Sequence, residues 1–380
     1  MFKAQRFLNL TDFEAAAHSK LPRRVFEFIE GGSEDNASLK ANRAAFADFS
    51  LQTRVLVDTS NRSCAVNLFG RQWAAPFGIA PMGAMGLAAF QADLVLARAA
   101  AKADIPFILS GSSLVSMERV IQANSAAWFQ AYLSANAAEN DRLVARVAAS
   151  GFETLVITVD VPVGGNRERD VRNGYTSPLR PSVGLAVDGL LHPRWLLGTV
   201  LRSLWREGMP HFENFALARV PMVSWRAIRP HKRDNLAWDD LRRLRDQWRH
   251  RLVLKGILSP EDARLAQQVG VDAVIASNHG GRQLDGAVSP LRQLRAIREQ
   301  AGTLPVLYDS GIRRGTHVLK AMALGAAYVF LGRPFLYAAI AGGELGALHA
   351  IDLLKTEILR DMALLGQRDL GPDLSTMLVR

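Results

Sequence analysis

A histidine flanked by glycines is the feature of this sequence best suited to acid–base chemistry. Residues 277–285 read SNHGGRQLD, so His279 precedes two glycines and Arg282 follows three residues later. A neutral imidazole can accept a proton near pH 7, and a guanidinium can bind a carboxylate. Asp160, at the end of another predicted strand, is suited to stabilise an imidazolium. We interpret these residues as a general base and an arginine that binds a substrate anion.

Two further motifs are suited to binding phosphate. Residues 309–315 read DSGIRRG and residues 332–334 read GRP, and a helix is predicted to begin at Thr316. Glycines let backbone N–H groups approach an anion, a helix N-terminus favours negative charge, and arginine binds phosphate bidentately. The alternative interpretation is ordinary turns with surface arginines.

Other kinds of catalytic site have little support. The single cysteine, Cys64, excludes an intramolecular disulfide and a metal site built from several cysteines. The sequence has no H-x-x-x-H or H-E-x-x-H pattern for a metal and no G-x-S-x-G pattern for a serine nucleophile. We therefore predict no metal site.

Eight short apolar segments predict the strands that position these residues. They lack polar alternation, as is typical of parallel strands buried on both faces. The segments are residues 76–81, 105–110, 127–132, 154–160, 252–256, 273–278, 305–311 and 328–333.

Segments with helical periodicity lie between these runs, and serine–proline pairs at 259–260 and 289–290 are typical of helix starts. Such helices are predicted at residues 91–103, 139–150, 260–269 and 316–324. Eight strand–helix units predict an α/β protein with a (β/α)₈ TIM-barrel fold. A doubly wound sheet is disfavoured because neither G-x-G-x-x-G after an early strand nor G-x-x-x-x-G-K-[ST] occurs.

Polar side chains follow nearly every predicted strand. In a TIM barrel the C-terminal ends of the strands surround one site. Polar groups in that position cost free energy unless they meet a ligand, water or one another. The residues are Ser110, Gln130, Tyr132, Thr158, Asp160, Lys255, Ser277, His279, Asp309 and Arg333.

We predict one domain over residues 1–380. Residues 1–75 form an N-terminal helical extension with a short helix at 21–31, the barrel spans 76–174 and 236–366, and 175–235 form a long loop insertion after strand 4. Residues 175–233 contain nine Lys/Arg and three Asp/Glu, and 9 − 3 gives +6. The insertion also contains Trp195, Trp205 and Trp225.

Composition narrows the class of protein. The 380 residues are 49% hydrophobic and 22% charged, which is typical of a globular protein and excludes a largely disordered chain. No run of 18 apolar residues occurs, and residues 1–20 lack the apolar stretch of a signal peptide. We therefore expect a cytosol-facing protein that is not integral to a membrane. The net charge of +10 is compatible with a solvated basic surface, nucleic-acid binding or docking on an anionic membrane.

Together these motifs resemble those of the FMN-dependent L-2-hydroxyacid dehydrogenases and oxidases, over essentially the whole chain. The insertion, with HPRW at 192–195 and GMP at 208–210, is similar to the membrane-associated (S)-mandelate and L-lactate dehydrogenase subgroup. Besides SNHGGRQLD, DSGIRRG and GRP, the resemblance rests on LP at 21–22, GG at 31–32, FQ at 129–130 with Tyr132, TVD at 158–160 and LKG at 254–256.

The resemblance implies an FMN cofactor and the oxidation of a mandelate- or lactate-like L-2-hydroxy acid to the 2-oxo acid. It implies that His279 is the base, that Asp160 supports its protonated form, and that Tyr132 binds near the hydroxyl. Arg167 and Arg282 would bind the substrate carboxylate. The implied flavin contacts are Pro81, Met82, Gly83, Ser110, Gln130, Thr158, Lys255 and Ser277 at the ring, Asp309 at the ribityl chain, and Gly311, Arg313, Gly332 and Arg333 at the phosphate.

Two positions depart from the family pattern. Phe28 stands where most members have a tyrosine that binds the substrate carboxylate, so one hydrogen bond worth about 1.5–3 kcal/mol is missing. Either Arg167 and Arg282 compensate, or the substrate is bulkier and more apolar. Met82 stands where several members have threonine, which removes a side-chain contact to the flavin, and Gly83 leaves the adjacent space open.

The resemblance also implies partners. We expect electrons to pass to a quinone or another respiratory acceptor, a homotetramer, and peripheral contact of residues 175–235 with the cytoplasmic side of the inner membrane. We expect no nucleic-acid partner, because the basic excess lies mainly in a tryptophan-bearing insertion. The alternatives are a soluble cytoplasmic oxidase that passes electrons to O₂ and produces hydrogen peroxide, and a flavin-binding barrel without catalysis.

Overall fold

Eight parallel strands form the centre of the computed structural model, which describes residues 2–175, 179–180, 182–215, 219–224 and 233–379. Each strand lies within a segment predicted from the sequence or extends it by one residue at either end. The strands are β1 (Phe77–Ile79), β2 (Ile108–Ser110), β3 (Trp128–Ala131), β4 (Thr154–Thr158), β5 (Arg251–Ile257), β6 (Ala273–Ala276), β7 (Val306–Asp309) and β8 (Tyr328–Leu331).

The sheet closes into a barrel. Consecutive strands are neighbours from β2 to β8, and β8 also pairs with β1. A parallel bridge between Ile79 and Phe107 links β1 to the start of β2 and completes the circle. The predicted (β/α)₈ TIM barrel is therefore confirmed.

A helix follows each strand and covers the outside of the barrel. The predicted helix at 260–269 is observed with the same bounds, and Ser259 caps it by accepting a hydrogen bond from the Asp262 N–H. Ser289 precedes the next helix but makes no such bond. The helices are α1 (Ala92–Lys102), α2 (Met117–Ala123), α3 (Ala137–Ala149), α4 (Trp238–Gln247), α5 (Pro260–Val269), α6 (Pro290–Gln300), α7 (Gly315–Ala323) and α8 (Arg333–Leu365), which is kinked at Gly343.

The strands are apolar because both of their faces are buried. One set of side chains, including Ile108, Val156, Val253 and Phe330, fills the barrel interior, and the other set packs beneath the helices. A hairpin of strands Val66–Leu68 and Arg71–Trp73 adds Leu68 and Trp73 to the interior cluster. The polar side chains that follow the strands are therefore held at the rim of a closely packed scaffold.

The N-terminal extension is helical, as predicted. It contains helices Leu10–Lys20, Arg23–Glu30 and Ala37–Ala44, with one 3₁₀ turn before them at Ala4–Arg6 and another after them at Ala45–Asp48. Strand Ser50–Leu51 pairs antiparallel with Leu378–Val379 near the C-terminus, next to the 3₁₀ segment Pro372–Met377. The extension thus brings residues around position 30 to the barrel mouth.

The insertion after β4 also contains helices. They are Val183–Leu190, Pro193–Trp195 and Arg202–Glu207, with a π-helical turn at Leu196–Leu201; helix Glu168–Arg172 precedes the insertion, and strands His211–Phe212 and Val220–Pro221 follow its helices. Trp225 lies outside the described residues. In the described part of this segment nine large apolar side chains are exposed, and we call them the insertion surface: Val183, Val187, Leu190, Leu191, Leu197, Leu201, Leu204, Trp205 and Met209.

None of the described helices is both long enough and apolar enough to span a bilayer.

Candidate active site

His279 and Asp160 meet at the barrel mouth, as the sequence predicts. The His279 Nδ1 lies 2.9 Å from the Asp160 Oδ1, and both side chains are largely buried. The His279 backbone N–H donates to the Ser277 hydroxyl at 3.1 Å. An Nδ1–H directed at a carboxylate leaves Nε2 free to accept a proton.

The backbone conformation of two loops fixes the positions of His279 and Asp160. His279 has φ 57°, a left-handed conformation that is uncommon outside glycine, and Gly280 and Gly281 continue the turn. At the end of β5 a bulge places Gly256 at φ 109°, where an added Cβ would lie 2.6 Å from the Asp160 side chain. Only glycine allows this close approach.

The local electrostatics favour a neutral histidine beside a charged carboxylate. Burial lowers the pKa of His279 below its usual 6.5, and Asp160 only partly opposes that effect. Burial alone would raise the pKa of Asp160, but the charges of His279 and Lys255 and a hydrogen bond from His279 outweigh it and lower the pKa. The pair is therefore arranged as an imidazole base beside an anion that stabilises the imidazolium.

Lys255 lies between two more of the predicted residues. Its Nζ is 3.0 Å from the Ser277 hydroxyl and 3.2 Å from the Asp309 carboxylate, and only 4% of the residue is exposed. Burial opposes the charge of Lys255, but Asp309, Asp160 and Tyr132 raise its pKa. A buried ammonium is therefore maintained in the floor of the site.

A buried hydrogen-bond donor at the end of β3 has no partner among the described residues. The Ser110 hydroxyl donates to the Gln130 Oε1 at 3.1 Å, while the Gln130 Nε2 is buried and makes no hydrogen bond in the part of the chain that the structure describes. The second carboxylate oxygen of Asp160 is likewise unpaired there. Thr158, at the end of β4, is also buried. Unpaired buried polar atoms are costly, and they indicate a ligand at this position.

The two arginines predicted to bind a carboxylate lie side by side. The Arg167 Nε donates to the Arg282 carbonyl oxygen at 3.2 Å, and its Nη2 is 3.4 Å from the Gln283 Oε1. Arg282 donates through Nη1 to the Phe28 and Gly31 carbonyls at 2.8 and 2.7 Å. Its Nη2 lies 3.9 Å from Asp170 and makes no hydrogen bond to a described residue. The Nη2 of the Arg282 guanidinium therefore remains available for a hydrogen bond to an anion.

Phe28 forms the apolar wall beneath this arginine. The Arg282 guanidinium carbon lies 5.3 Å from the centre of the Phe28 ring, which stacks on Tyr175 at 4.6 Å. Phe28 thus lies beside Arg282, to which it offers a ring face instead of a hydroxyl.

Arg313 and Arg333 form a second cationic group beside the barrel mouth. Burial lowers the pKa of both guanidinium groups; Arg43 lowers both further and Glu14 raises both. The Arg313 Nε and the Tyr337 hydroxyl are buried and make no hydrogen bond within the described ranges, although the Arg313 Nε lies 3.7 Å from the Glu14 carboxylate. Arg333 instead donates to the carbonyls of three residues, which are Ile29, Gly31 and Gly280.

The predicted phosphate glycines differ in their surroundings. Gly311 has φ 84° and packs closely on Asn42, since an added Cβ would lie 2.3 Å from the Asn42 carbonyl oxygen. An added Cβ at Gly332 would lie 3.2 Å from the Met82 sulfur, so β8 and the loop after β1 meet there. Gly311 thus serves backbone packing in addition to any contact with phosphate.

The loop after β1 carries Pro81, Met82 and Gly83 at the barrel rim, and Gly83 is exposed. The insertion rests on the same loop. The Trp195 indole N–H donates to the Leu87 carbonyl at 2.8 Å, and the Arg202 guanidinium lies 4.3 Å from the centre of the Phe90 ring. The loop therefore connects the mouth to the insertion surface.

Tyr132 lies on the other side of the mouth. Burial raises the pKa of its hydroxyl, so the phenol stays protonated and able to donate a hydrogen bond. The Arg233 guanidinium carbon lies 4.7 Å from the centre of the Tyr132 ring.

Sequence reasoning missed several residues of the site. They carry no motif and reach the mouth only through folding: Asn42, Arg43, Asp170, Tyr175, Arg233 and Tyr337. Gln283 lay within a recognised motif, but its hydrogen bonds to the Asp160 and Val163 carbonyls were not predicted. No group of three or more potential metal ligands occurs among the described residues.

Comparison with known proteins gives one consistent family. The profile of the FMN-dependent dehydrogenase family matches residues 17–379. The chain is 40% identical to (S)-mandelate dehydrogenase of Pseudomonas putida over 97% of this chain and 94% of the relative. It is 38% identical to L-lactate dehydrogenase of Caulobacter vibrioides, covering 97% and 96%.

Solved structures agree with these relatives. The chain superposes on the structure of the monotopic membrane protein (S)-mandelate dehydrogenase with a TM-score of 0.90 and 39% identity, covering 99% of this chain and 100% of that one. A mandelate oxidase with bound (S)-2-phenylpropionate gives a TM-score of 0.82 and 34% identity, covering 98% of each chain.

Proposed function

This chain belongs to the FMN-dependent dehydrogenase family, and on that basis we propose that it oxidises an L-2-hydroxy acid of the lactate or mandelate type to the 2-oxo acid. The single observation that supports this best is the His279–Asp160 pair at 2.9 Å beside the Arg167 and Arg282 side chains. A base next to a carboxylate-binding group is the arrangement that a 2-hydroxy acid requires.

The residues present fit FMN. The unpaired Gln130 Nε2 can donate to a polar ring edge, and the buried Lys255 ammonium favours a ring that becomes anionic on reduction. Bound FMN supplies the electron-accepting ring of the reaction. Ser110, Thr158, Ser277 and the loop with Pro81, Met82 and Gly83 would surround the ring, Asp309 the ribityl chain, and Gly311, Arg313, Gly332 and Arg333 the phosphate.

The arginines would bind and orient the substrate. Arg282 retains an Nη2 without a hydrogen bond to a described residue, and Arg167 is held beside it by the Arg282 carbonyl and Gln283. A carboxylate bound there would place the 2-hydroxyl towards Tyr132 and His279, because these lie on the same rim. The protonated Tyr132 phenol can donate to the hydroxyl oxygen.

His279 would take a proton from the substrate through Nε2, either from the hydroxyl or from Cα. Its lowered pKa keeps the ring neutral and ready to accept at neutral pH. The imidazolium that forms then faces the Asp160 carboxylate, so Asp160 stabilises the product of the proton transfer.

His279→Ala tests the role of the base. The variant should retain FMN and its yellow absorbance, but L-lactate and (S)-mandelate should no longer bleach the flavin in anaerobic stopped-flow measurements. A loss of at least 100-fold in the rate of bleaching is expected for removal of a general base. Bleaching at the wild-type rate would exclude this role, and absence of bleaching in the wild type with every 2-hydroxy acid would exclude the proposed function.

The exposed apolar side chains of the insertion surface support peripheral membrane association. Arg194, Arg202 and Arg206 lie among them, as in segments that dock on anionic lipid. The anionic cytoplasmic leaflet of the inner membrane would suit this charge. A quinone in the same membrane is the acceptor that this position favours, since the insertion contacts the loop bearing Gly83.

An oxidase that transfers electrons to O₂ is the second candidate, favoured by the likeness to mandelate oxidase. Reduced enzyme mixed with O₂ or with a soluble quinone distinguishes the two. The dehydrogenase proposal expects faster reoxidation by the quinone, and faster reoxidation by O₂ would support the oxidase.

We also propose that residues 1–380 act as one domain and that the protein is a homotetramer. The extension packs on α8 and contributes to the barrel mouth, which supports a single folding unit. Light scattering of the detergent-solubilised holoenzyme should give four times the chain mass of 41.6 kDa.

A further inference from the structure

Arg233 is a half-buried cation that the reaction described above does not use. Among the described residues its charge is affected only by burial, which lowers its pKa, and by Tyr132; no carboxylate contributes. Its Nε is buried and has no hydrogen-bond partner there. An unpaired guanidinium in such a position is costly unless a ligand supplies the missing anion.

The position of Arg233 relative to the other arginines separates two anion sites. The charges that act most strongly on Arg282 are those of Arg167 and Arg333, with Asp170 and Tyr132 next. Arg233 instead acts on Tyr132, over whose ring it lies at 4.7 Å. Tyr132 therefore has Lys255 and the Arg167–Arg282 pair as cationic neighbours on the substrate-binding rim and Arg233 as a further one over its ring.

We infer that Arg233 receives a second anionic group, a carboxylate at the far end of the substrate side chain. The inference rests on the proposed function, in which Arg167 and Arg282 bind the first carboxylate and Tyr132 faces the hydroxyl. A substrate held in that way would extend its side chain towards the Tyr132 ring, and the Arg233 guanidinium lies over that ring with its Nε unpaired among the described residues. The substrate class is thereby narrowed to 2-hydroxy acids of the lactate or mandelate type whose side chain ends in a carboxylate.

Matched substrates test this inference on the FMN-loaded enzyme. L-2-hydroxyglutarate and its 5-amide have the same size and differ in the terminal charge, and (S)-mandelate and 4-carboxy-(S)-mandelate form a second pair. The wild type should give a kcat/KM at least tenfold higher for the charged member of at least one pair. Arg233→Met should remove that preference, mainly by raising KM for the charged substrate, so that kcat/KM becomes similar for the two members of each pair.

Two further variants separate charge recognition from structural effects. Arg233→Lys should retain part of the preference for the charged substrate, because lysine keeps the positive charge. It should not retain all of it, because lysine lacks the planar guanidinium that binds a carboxylate through two N–H groups. Arg242→Met removes an exposed arginine that pairs only with Asp239 among the described residues, and it should leave both substrates unchanged. FMN content and far-UV circular dichroism show whether Arg233→Met is folded. If it is not folded, the substrate preference of Arg233→Lys decides the test.

Equal rates for both members of each pair in the wild type would overturn the inference while leaving the proposed function intact. An equal loss for charged and uncharged substrates in Arg233→Met and in Arg233→Lys would also overturn it, because the arginine would then act on Tyr132 or on the fold. If no 2-hydroxy acid bleaches the flavin, the proposed function itself fails.

Discussion

At the residue scale, the site depends on how burial and neighbouring charges set protonation. His279 is kept neutral mainly by burial, Asp160 is kept charged by His279 and Lys255, and Lys255 is kept charged by Asp309 and Asp160. Each state is the one that its proposed role requires. Changes to any one of these groups should therefore appear in the pH dependence as well as in the rate.

Asp160→Asn should shift the acidic limb of the pH profile to lower pH. Asp160 raises the pKa of His279, so its removal lowers that pKa further and extends the neutral form of the base to more acidic pH. The imidazolium also loses its counter-charge, and kcat should fall about 100-fold. Steady-state kcat/KM between pH 4.5 and 8 measures both effects. Asp48→Asn, which removes a surface carboxylate, is the control, and an unchanged limb in Asp160→Asn would contradict the coupling.

Phe28→Tyr should tighten substrate binding. The new hydroxyl would project from a ring that lies 5.3 Å beneath Arg282, where a substrate carboxylate is proposed to bind. A hydrogen bond to a charged group is worth about 1.5–3 kcal/mol, so KM should fall by about tenfold or more with kcat little changed. An unchanged or higher KM in steady-state assays would mean that stacking on Tyr175 has remodelled the pocket.

At the scale of elements, the barrel strands position the site, whereas the insertion exposes apolar side chains to solvent. The strands hold the polar rim at fixed positions because both of their faces are packed. The helices from Val183 to Glu207 leave several large apolar side chains in solvent, and such a concentration of exposed apolar side chains within one segment is typical of a site of association. The Trp195–Leu87 hydrogen bond and the Arg119–Glu207 ion pair fasten the insertion to the barrel.

Leu197→Glu combined with Trp205→Glu should release the protein from anionic lipid. Both side chains are more than half exposed on the insertion surface, so the change should leave the fold and FMN binding intact. Sedimentation with phosphatidylglycerol vesicles measures the bound fraction, which should fall at least fivefold. Leu56→Glu, at an exposed apolar residue far from the insertion in sequence, is the matched control. If the double variant sediments with vesicles like the control, the membrane contact lies elsewhere.

At the scale of the whole molecule, one buried carboxyl group should make stability depend on pH. Asp93, in the first turn of α1, is completely buried, and both of its carboxylate oxygens lack a hydrogen-bond partner among the described residues. Burial raises its pKa to about 7 and outweighs the lowering effect of the nearby Ser113 hydroxyl, whereas an unfolded chain has a value of about 3.9. Between these values the unfolded state releases the proton and the folded state keeps it, so stability falls as pH rises.

Asp93→Asn should therefore become more stable relative to the wild type as pH rises from about 4 to about 7. The difference should grow by roughly 1.4 kcal/mol per pH unit within that window and level off above it. Urea unfolding of the holoenzyme at pH 5, 6, 7 and 8 measures this change. A difference that is constant over all four values would show that Asp93 is not protonated in the folded protein.

The sequence by itself determined the strand–helix order and most of the chemistry of the site. Buried parallel strands leave uninterrupted apolar runs, and motifs such as SNHGGRQLD bring their functional residues close along the chain, so His279, Arg282 and Lys255 were predictable one element at a time. The basic insertion was also evident, because its charge and tryptophans are concentrated in a single segment.

Only the tertiary structure decided which distant residues meet. Phe28 lies beneath Arg282, Arg43 approaches Arg313, and Arg233 lies over Tyr132, although each pair is separated by about 100 residues or more. The left-handed turn at His279 and the bulge at Gly256 likewise follow from backbone contacts across the barrel mouth. The pattern of apolar residues along the sequence indicates which face of a helix or strand is buried. Closure of the barrel determines which charges become neighbours at its mouth.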